Sequence, residues 1–354
     1  MPAADTRLPV ELWIDIADFL DSIDIIALAT TCRRLRHILL PVAYREICLF
    51  VAPKRPDPPS THRFRRPNTR FVVHQMFHDR IRFYTSASMA PLPRVLRIGT
   101  RHSNNKSSLK LSSPNLIREL PYLVNLTTLK LQNLWVDKWA LAVITELTRL
   151  RVLHFSRCSI FGRLDFSALR LVEVEIIRST TGGDIILNSD HLEDVTCSAG
   201  NLQRIMPTAA LDRLRTLSVP VDSPPSPHYH VTEFLQRNRC ASLTNLLIDG
   251  VYSVDPNVPV EFDFSFALTC YRGPAKCLYF IPDGSRLQDV TLFIASSEAL
   301  KQLRCLAPRI RRLVVDISLP NRDEIKHAIS AFEHLREFCW RSDLGFHPDQ
   351  VIFQ

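Results

Sequence analysis

The sequence is poor in glycine: only nine of its 354 residues are Gly, and it contains no G-x-G-x-x-G motif. Nucleotide-binding α/β folds use Gly-rich turns between strand and helix, so this scarcity argues against a dinucleotide-binding sheet. The sequence also lacks a P-loop, a G-x-S-x-G motif and an H-E-x-x-H motif. Glu173 and Glu175 are best interpreted as solvated strand charges. We therefore expect a protein that is not an enzyme and has no cofactor.

Long apolar runs and close cysteine pairs are missing as well. No run approaches the roughly 18 to 20 apolar residues that span a bilayer, and no basic segment precedes an apolar one at the N-terminus, so we expect neither a membrane segment nor a signal peptide. The nine cysteines are scattered and form no Cys-x-x-Cys pair. This argues against a disulfide framework and a zinc site, and it favours a cytoplasmic and/or nuclear protein.

The N-terminal 50 residues carry helical patterns of apolar residues. Two stripes recur at helical spacing, one comprising Leu12, Ile16, Phe19 and Leu20 and the other Trp13, Ala17 and Leu20. A helix that is apolar around much of its circumference needs burial on more than one side. Asp24 is expected to cap a second helix, and Pro41 to end or bend a third.

The order and spacing of this segment resemble the F-box, a small helical docking module. The resemblance is carried by Leu8-Pro9-x-Glu11-Leu12-x-x-x-Ile16-x-x-x-Leu20, Asp24-x-x-x-Leu28, Cys32-Arg33-x-Leu35 and Pro41-x-x-Tyr44. It implies that the segment binds the Skp-family adaptor of a cullin–RING ubiquitin ligase. The partner-facing residues it implies are Leu8, Pro9, Leu12, Ile16, Leu20 and Leu28, with Cys32 and Leu35 either in the core or at the interface. The stripes alone equally fit an N-terminal cap packed on the rest of the chain.

A short apolar phrase recurs from about residue 90 onward. The copies are Leu126-x-x-Leu129-x-Leu131-x-x-Leu134, Leu150-x-x-Leu153-x-Phe155-x-x-Cys158, Leu169-x-x-Val172-x-Val174-x-x-Ile177, Leu192-x-x-Val195-x-Cys197, Leu214-x-x-Leu217-x-Val219, Leu243-x-x-Leu246-x-Ile248, Leu287-x-x-Val290-x-Leu292, Ile310-x-x-Leu313-x-Val315 and Leu335-x-x-Phe338-x-Trp340, with degenerate copies at Val95-Leu96-x-Ile98 and Leu268-x-Cys270. Each phrase predicts a short strand with alternate residues facing inward, and the segments between have helical spacing.

This phrase, recurring every 19 to 29 residues, resembles leucine-rich repeats. Such repeats stack into a curved solenoid with a parallel sheet on the concave face. The Asn of regular repeats is mostly absent, so these repeats are irregular. The alternative is an ordinary α/β domain, which usually spends more residues on each strand and helix.

The fold class we expect is therefore α/β with three segments. Residues 1–50 form a three-helix F-box, residues 51–90 a basic Pro/Arg-rich connector and joining segment, and residues 91–354 an irregular leucine-rich-repeat solenoid with a curved parallel sheet. Outward positions on the strands are candidate target contacts, among them Lys130, His154 and Glu173.

Positive charge is concentrated just after the N-terminal helices. Residues 51–110 contain thirteen Lys and Arg but only two acids, Asp57 and Asp79, which gives this band a net charge of +11. The band is either a solvated linker, a docking patch for an acidic or phosphorylated partner, or a nucleic-acid or nuclear-import segment. The patch would use Arg63, Arg65 and Arg66. Only Phe64 interleaves with them, so we expect no nucleic-acid partner.

Together these patterns predict a substrate receptor of an SCF-type cullin–RING ubiquitin ligase. The F-box would dock the Skp-family adaptor and the repeats would hold an unknown target protein. The combination resembles the expanded F-box and leucine-rich-repeat families of fungi. The alternative is a leucine-rich-repeat scaffold without a ligase connection.

Overall fold

A computed structural model of the protein describes residues 8–51, 79–100, 109–110, 114–220, 227–249, 268–281, 286–293, 297–306, 309–317, 329–330, 332–342 and 349–352. The chain divides into two compact units, Met1–Gly162 and Arg163–Gln354. Within the described residues, no helix has both the length and the apolar surface needed to cross a membrane. All nine cysteines carry thiols, and five of them are buried.

Three short helices open the first unit: α1 (Val10–Asp18), α2 (Ser22–Thr31) and α3 (Arg33–Ala43). The cap of α2 is Asp21 rather than the expected Asp24, because the Asp21 carboxylate accepts hydrogen bonds from the backbone N–H groups of Ile23 and Asp24, each at 2.9 Å. Pro41 lies within α3 and does not end it, since the helix continues to Ala43.

A parallel sheet follows the helices in the same unit. Its strands are β1 (Glu46–Val51), β2 (Val95–Thr100), β4 (Thr128–Gln132) and β6 (Val152–Ser156), paired in that order. A smaller parallel sheet contains β3 (Leu109–Lys110), β5 (Leu134–Val136) and β7 (Ser159–Ile160). The sequence did not predict β1, which follows α3 directly and contains the expected domain boundary at residue 50.

The remaining helices of this unit connect strands. Helix α4 (Pro114–Glu119) runs into a 3-10 turn, and α5 (Lys138–Thr145) begins at Asp137, whose carboxylate accepts a hydrogen bond from the Ala140 N–H at 2.9 Å. Residues 79–84 are also helical. Phe83 and Tyr84 lie 6.1 Å and 6.2 Å from the ring of Tyr44. This aromatic cluster ties the joining segment to the end of α3.

The second unit contains a longer sheet. Its parallel strands follow chain order: β9 (Glu173–Ile177), β12 (Asp194–Cys197), β14 (Thr216–Val219), β15 (Asn245–Ile248), β16 (Cys270–Pro274), β17 (Asp289–Phe293), β18 (Arg312–Ile317) and β19 (Glu337–Ser342). The last strand, β20 (Asp349–Ile352), is antiparallel to β19.

Shorter elements complete the second unit. Strands β8 (Leu164–Phe166), β11 (Ile185–Leu187) and β13 (Ile205–Pro207) form a small parallel sheet, and β10 is Thr180–Thr181. The helices are α6 (Ala199–Leu202), α7 (Pro227–Arg237) and α8 (Ser297–Leu306), and residues Ala275–Phe280 form a 3-10 helix.

In both units, the core consists of rows of in-register side chains. In the first, Leu96, Leu129 and Leu153 lie side by side on adjacent strands. In the second, the matching row is Val174, Val195, Leu217, Leu246, Tyr271, Val290, Leu313 and Phe338. Every member of both rows is buried.

Two copies of the phrase differ from the sequence expectation. Val172 lies before β9 and is half-buried, whereas Val174 takes the fully buried position opposite Val195. The fully buried residues Leu171, Val174 and Ile176 repeat the phrase shifted by two residues from the expected register. In the degenerate copy, Tyr271 rather than Cys270 faces the core.

The slip at β9 can be tested with a pair of alanine substitutions. Val174→Ala should lower the free energy of unfolding by about 2 kcal/mol, because it removes fully buried methyl groups and leaves a cavity. Val172→Ala should cost about 1 kcal/mol or less, because its side chain is only partly buried. Denaturant unfolding of the full chain measures both. A larger loss of unfolding free energy for Val172→Ala than for Val174→Ala would support the register expected from sequence, in which Val172 takes the buried position.

Gly273 makes room for the buried Tyr271 ring. A Cβ at residue 273 would lie 2.6 Å from the Tyr271 hydroxyl oxygen, well inside van der Waals contact. That hydroxyl donates a hydrogen bond to the Pro274 carbonyl at 3.0 Å. The Tyr271 side chain therefore depends on a neighbour without a side chain.

We expect Gly273→Ala to destabilise the protein by about 1 to 3 kcal/mol through overpacking. Gly200→Ala is the matched control, because a Cβ there meets nothing within 4 Å, and it should be neutral or stabilising by up to about 1 kcal/mol. Thermal and denaturant unfolding report both. Equal effects of the two substitutions would show that Tyr271 does not need the space at Gly273.

Candidate functional site

The three N-terminal helices have a small core of their own. Its buried residues are Ala17, Ile25, Ala29, Leu35 and Leu39, and Trp13, Leu20, Leu28 and Cys32 are among the partly buried residues packed against it. On α1, the stripe of Trp13, Ala17 and Leu20 therefore faces inward. Leu20 also belongs to the other predicted stripe, whose remaining members, Leu12, Ile16 and Phe19, lie beside the inward-facing one.

That second stripe is open to solvent. Leu12 is 44% exposed, Ile16 38% and Phe19 90%. Four more exposed apolar residues lie on the same two helices, α1 and α2: Val10, Ile14, Ile23 and Ile26. We call these seven residues the α1–α2 apolar surface. Half of the large exposed apolar side chains in the described part of the chain lie here, within residues 10–26. Such concentration marks an interaction site more often than a solvated helix.

Capping and tethering bonds fix the geometry of this surface. Asp21 caps α2, and the Cys32 sulfur accepts a hydrogen bond from the Leu35 N–H at 3.4 Å at the start of α3. The Arg34 guanidinium donates to the Leu8 carbonyl at 3.1 Å, which ties the start of α1 to α3. These bonds hold α1 and α2 without covering their outer faces.

One polar atom within the helices lacks a partner. The Trp13 indole N–H is buried but donates no hydrogen bond within the described residues. A buried unsatisfied donor costs on the order of 1 to 3 kcal/mol.

The predicted adaptor-binding residues occupy three environments. Pro9, Leu12 and Ile16 are exposed, Leu8, Leu20, Leu28 and Cys32 are half-buried, and Leu35 is buried in the helical core. Leu35 thus packs the module together instead of presenting an apolar side chain. Ile14 and Ile23 were missing from the predicted set, although both are exposed. The sequence signal for Ile14 was its place outside the stripe of Trp13, Ala17 and Leu20. Once that stripe is assigned to the core, Ile14 is an apolar residue of α1 left at the surface.

The predicted target contacts lie on different parts of the chain. Arg63, Arg65 and Arg66 fall outside the described residues. Lys130 is half-buried and lies opposite His154 across β4 and β6. His154 is only 7% exposed, contrary to the exposed position expected for it. Glu173 is half-buried at the start of β9, opposite Asp194.

Two of the buried thiols, those of Cys158 and Cys240, are unsuited to nucleophilic chemistry. Burial raises the pKa of the Cys158 thiol to about 11 and that of Cys240 to about 12. A thiol is reactive as the thiolate, which is scarce at neutral pH when the pKa is this high. Cys158 instead donates to the Leu131 carbonyl at 3.3 Å and stabilises the neighbouring turn.

Comparison with models of protein families matches residues 6–50 to the F-box-like family. A search of curated proteins finds no match to the chain. The matched segment contains all three helices and the α1–α2 apolar surface. It supports an F-box protein, and an F-box domain implies a general role in substrate recognition by SCF-type ubiquitin ligases.

Proposed function

We propose that this protein is the substrate-receptor subunit of an SCF-type cullin–RING ubiquitin ligase. In this function, the F-box-like domain docks a Skp-family adaptor through the α1–α2 apolar surface, and the strands bind a target protein. The observation that carries the proposal is the exposed stripe of Leu12, Ile16 and Phe19 within the domain that matches the F-box-like family. F-box domains bind Skp1-type adaptors.

The number of large apolar side chains in the exposed stripe supports the binding of a partner protein. Burying one large apolar side chain stabilises a complex by about 1.5 to 3 kcal/mol before the costs of association. Phe19 and Ile23 are the most exposed members and flank the Asp21 cap. Their position at the junction of α1 and α2 suits insertion into pockets of another protein.

We further propose that the strands of both units are irregular leucine-rich repeats of the kind found in fungal F-box families. Strands that follow chain order, in register and parallel, support this interpretation. The turn after the strand is also similar in β4, β6 and β9, because Asn133, Arg157 and Arg178 adopt φ angles of 54°, 55° and 51°. Each lies four residues after the buried Leu129, Leu153 or Val174.

Two asparagine side chains link successive segments and support the repeat interpretation as well. The Asn133 amide, in the turn after β4, donates to the Thr100 carbonyl at the end of β2 at 3.2 Å. The Asn201 amide, in α6, donates to the Ser179 carbonyl at 2.8 Å. Each acceptor lies more than 20 residues earlier in the chain, and such bonds satisfy backbone carbonyls outside the strand ladder or at its end.

The chemistry of the ligase would come from its partners. Holding a target near a charged E2 enzyme raises the effective concentration of the reacting groups, so the receptor needs no catalytic residue of its own. We propose the cytoplasm and/or nucleus as its location. Candidate target contacts remain Arg63, Arg65 and Arg66, together with Lys130 and Glu173. His154 is no longer among them, because its side chain is only 7% exposed.

Aspartate substitutions in the exposed stripe test the docking proposal. Leu12→Asp and Ile16→Asp should each weaken adaptor binding at least 100-fold, because each places a charge in a desolvated apolar contact at a cost of several kcal/mol. Co-purification and calorimetric titration with a recombinant Skp-family adaptor measure the loss. The circular dichroism spectrum and unfolding midpoint should stay close to wild type.

Val124→Asp is the matched control. Val124 is 54% exposed and lies outside the F-box-like domain, so the same chemical change should leave adaptor binding intact. Undiminished binding by both stripe variants would contradict docking through this surface. If the Leu12→Asp variant unfolds while the Val124→Asp variant stays folded, the result would favour the alternative in which the N-terminal helices are a cap packed on the rest of the chain.

A further inference from the structure

Two aromatic side chains stack on each other at the surface of the first unit. The ring centroids of Trp135 and Phe161 lie 4.5 Å apart, and the planes of the two rings differ by 23°. Trp135 is 38% exposed and Phe161 is 45% exposed. The pair therefore presents stacked rings to solvent instead of filling the core. We call these two residues the aromatic platform.

The small sheet of the first unit builds this platform. Trp135 on β5 lies opposite Ser159 on β7, and the Phe161 N–H extends the ladder by donating to the Val136 carbonyl at 2.9 Å. Because side chains alternate along a strand, Ser159 and Phe161 share a face with Trp135. Val136 and Ile160 are buried on the other face. The two rings are distant in sequence and meet only in the folded chain.

A lysine side chain lies beside the platform. Gly162, which follows Phe161, has a φ angle of 117°, and a Cβ on it would lie 2.9 Å from Cγ and 3.3 Å from Cε of Lys138. The Lys138 side chain therefore crosses the backbone directly after Phe161. Within the described ranges, no carboxylate oxygen lies within 4.0 Å of its ammonium group. The neighbouring Asp137 carboxylate caps α5 instead.

The first unit also carries the positive charge of the protein. Residues 1–162 contain 24 Lys and Arg against 12 Asp and Glu, which gives a net charge of +12. Residues 163–354 contain 20 Lys and Arg against 24 Asp and Glu, which gives −4. The field of a strongly basic unit favours polyanionic partners at its surface. Charge complementarity thus selects an acidic partner for the platform.

We propose that the aromatic platform binds an unpaired segment of RNA. A base stacks on the exposed face of the rings, and Lys138 binds a neighbouring phosphate. Such stacking tolerates any base because every base has a π-face. RNA presents unstacked bases in its loops, bulges and ends. An acidic peptide would match the charge of the unit but would leave the flat face of the platform unused.

This proposal departs from the sequence expectation of no nucleic-acid partner. That expectation considered the aromatic residues beside the arginine cluster, where only Phe64 is available. The fold supplies the rings elsewhere, on adjacent strands of the small sheet. The platform lies outside the F-box-like domain of residues 6–50, so RNA binding is independent of adaptor docking.

Fluorescence anisotropy with labelled oligonucleotides tests the proposal with the full chain. The probes are oligouridine, oligodeoxyuridine and duplex RNA, each of about 12 nucleotides. Wild type should bind oligouridine at least about tenfold more tightly than the duplex, whose bases are stacked within the helix. Trp135→Ala should weaken oligouridine binding at least about fivefold, the loss expected when one base no longer stacks. Trp135→Phe keeps a flat ring and should bind like the wild type.

Salt dependence separates the ring from the charge. Lys138→Gln should lower the slope of log affinity against log salt by about 0.7, because one phosphate contact with a single strand is lost. Trp135→Ala should leave this slope unchanged, because it removes no charge. A slope that falls equally in the two variants would overturn the assignment of stacking to Trp135.

Trp139→Ala is the matched control. Trp139 is also 38% exposed, but the Arg118 guanidinium carbon lies 5.9 Å from its ring centroid, so one face of this ring already has a cation–π partner. The control should bind oligouridine like the wild type, and thermal unfolding should show every variant folded, because the changed residues are exposed.

Four results would overturn the proposal. They are equal affinity for oligouridine and duplex, equal loss of affinity in Trp135→Ala and Trp139→Ala, displacement of oligouridine by polyglutamate at equal charge concentration, and tighter binding of oligodeoxyuridine than of oligouridine. The first two would show that the platform does not stack on a base. The third would show attraction by charge alone, and the fourth would exclude RNA as the preferred strand.

Discussion

In-register burial between parallel strands is the constraint on which both units depend. A parallel strand cannot pair with its neighbour through a tight hairpin, so each contact closes a loop of about 20 residues or more. Leu153 packs beside Leu129 only after the whole intervening helix and turn have been placed. The complete burial of such rows offsets the entropy of loop closure, because each large apolar side chain contributes about 1.5 to 3 kcal/mol. The connecting segments can vary in length as long as the buried row stays continuous.

The sequence predicts the face of most strands better than their start. A period of two decides which side chains point inward, and it gives the buried residue correctly for Leu129, Leu153, Val195, Leu217, Leu246, Val290, Leu313 and Phe338. It does not decide between Val172 and Val174, because the two are separated by one residue and both are apolar. At β16 the rule gave the wrong face, since Cys270 continued the pattern in sequence while the larger Tyr271 ring fills the core beside Gly273.

At the N-terminus, the two predicted stripes of α1 are both real features of the helix. Local spacing cannot say which one is covered by α2 and α3, because that depends on packing between helices. Small Ala17 in the Trp13 stripe permits close helix approach, which in retrospect marks the inward side. Strand β1 was missed for a different reason: its two inner residues, Ile47 and Leu49, are too few to stand out from the end of α3.

The residues just before β18 and β19 show how distant parts of the sequence bring like charges together. Arg311 and Arg336 are far apart in sequence, but each follows the first apolar residue of its phrase, Ile310 or Leu335. Aligning the phrases by this position would have placed the two side by side. The earlier copies at the same position include Glu193 and Arg215, which neutralise each other. Charge balance thus changes along the sheet while the buried row does not.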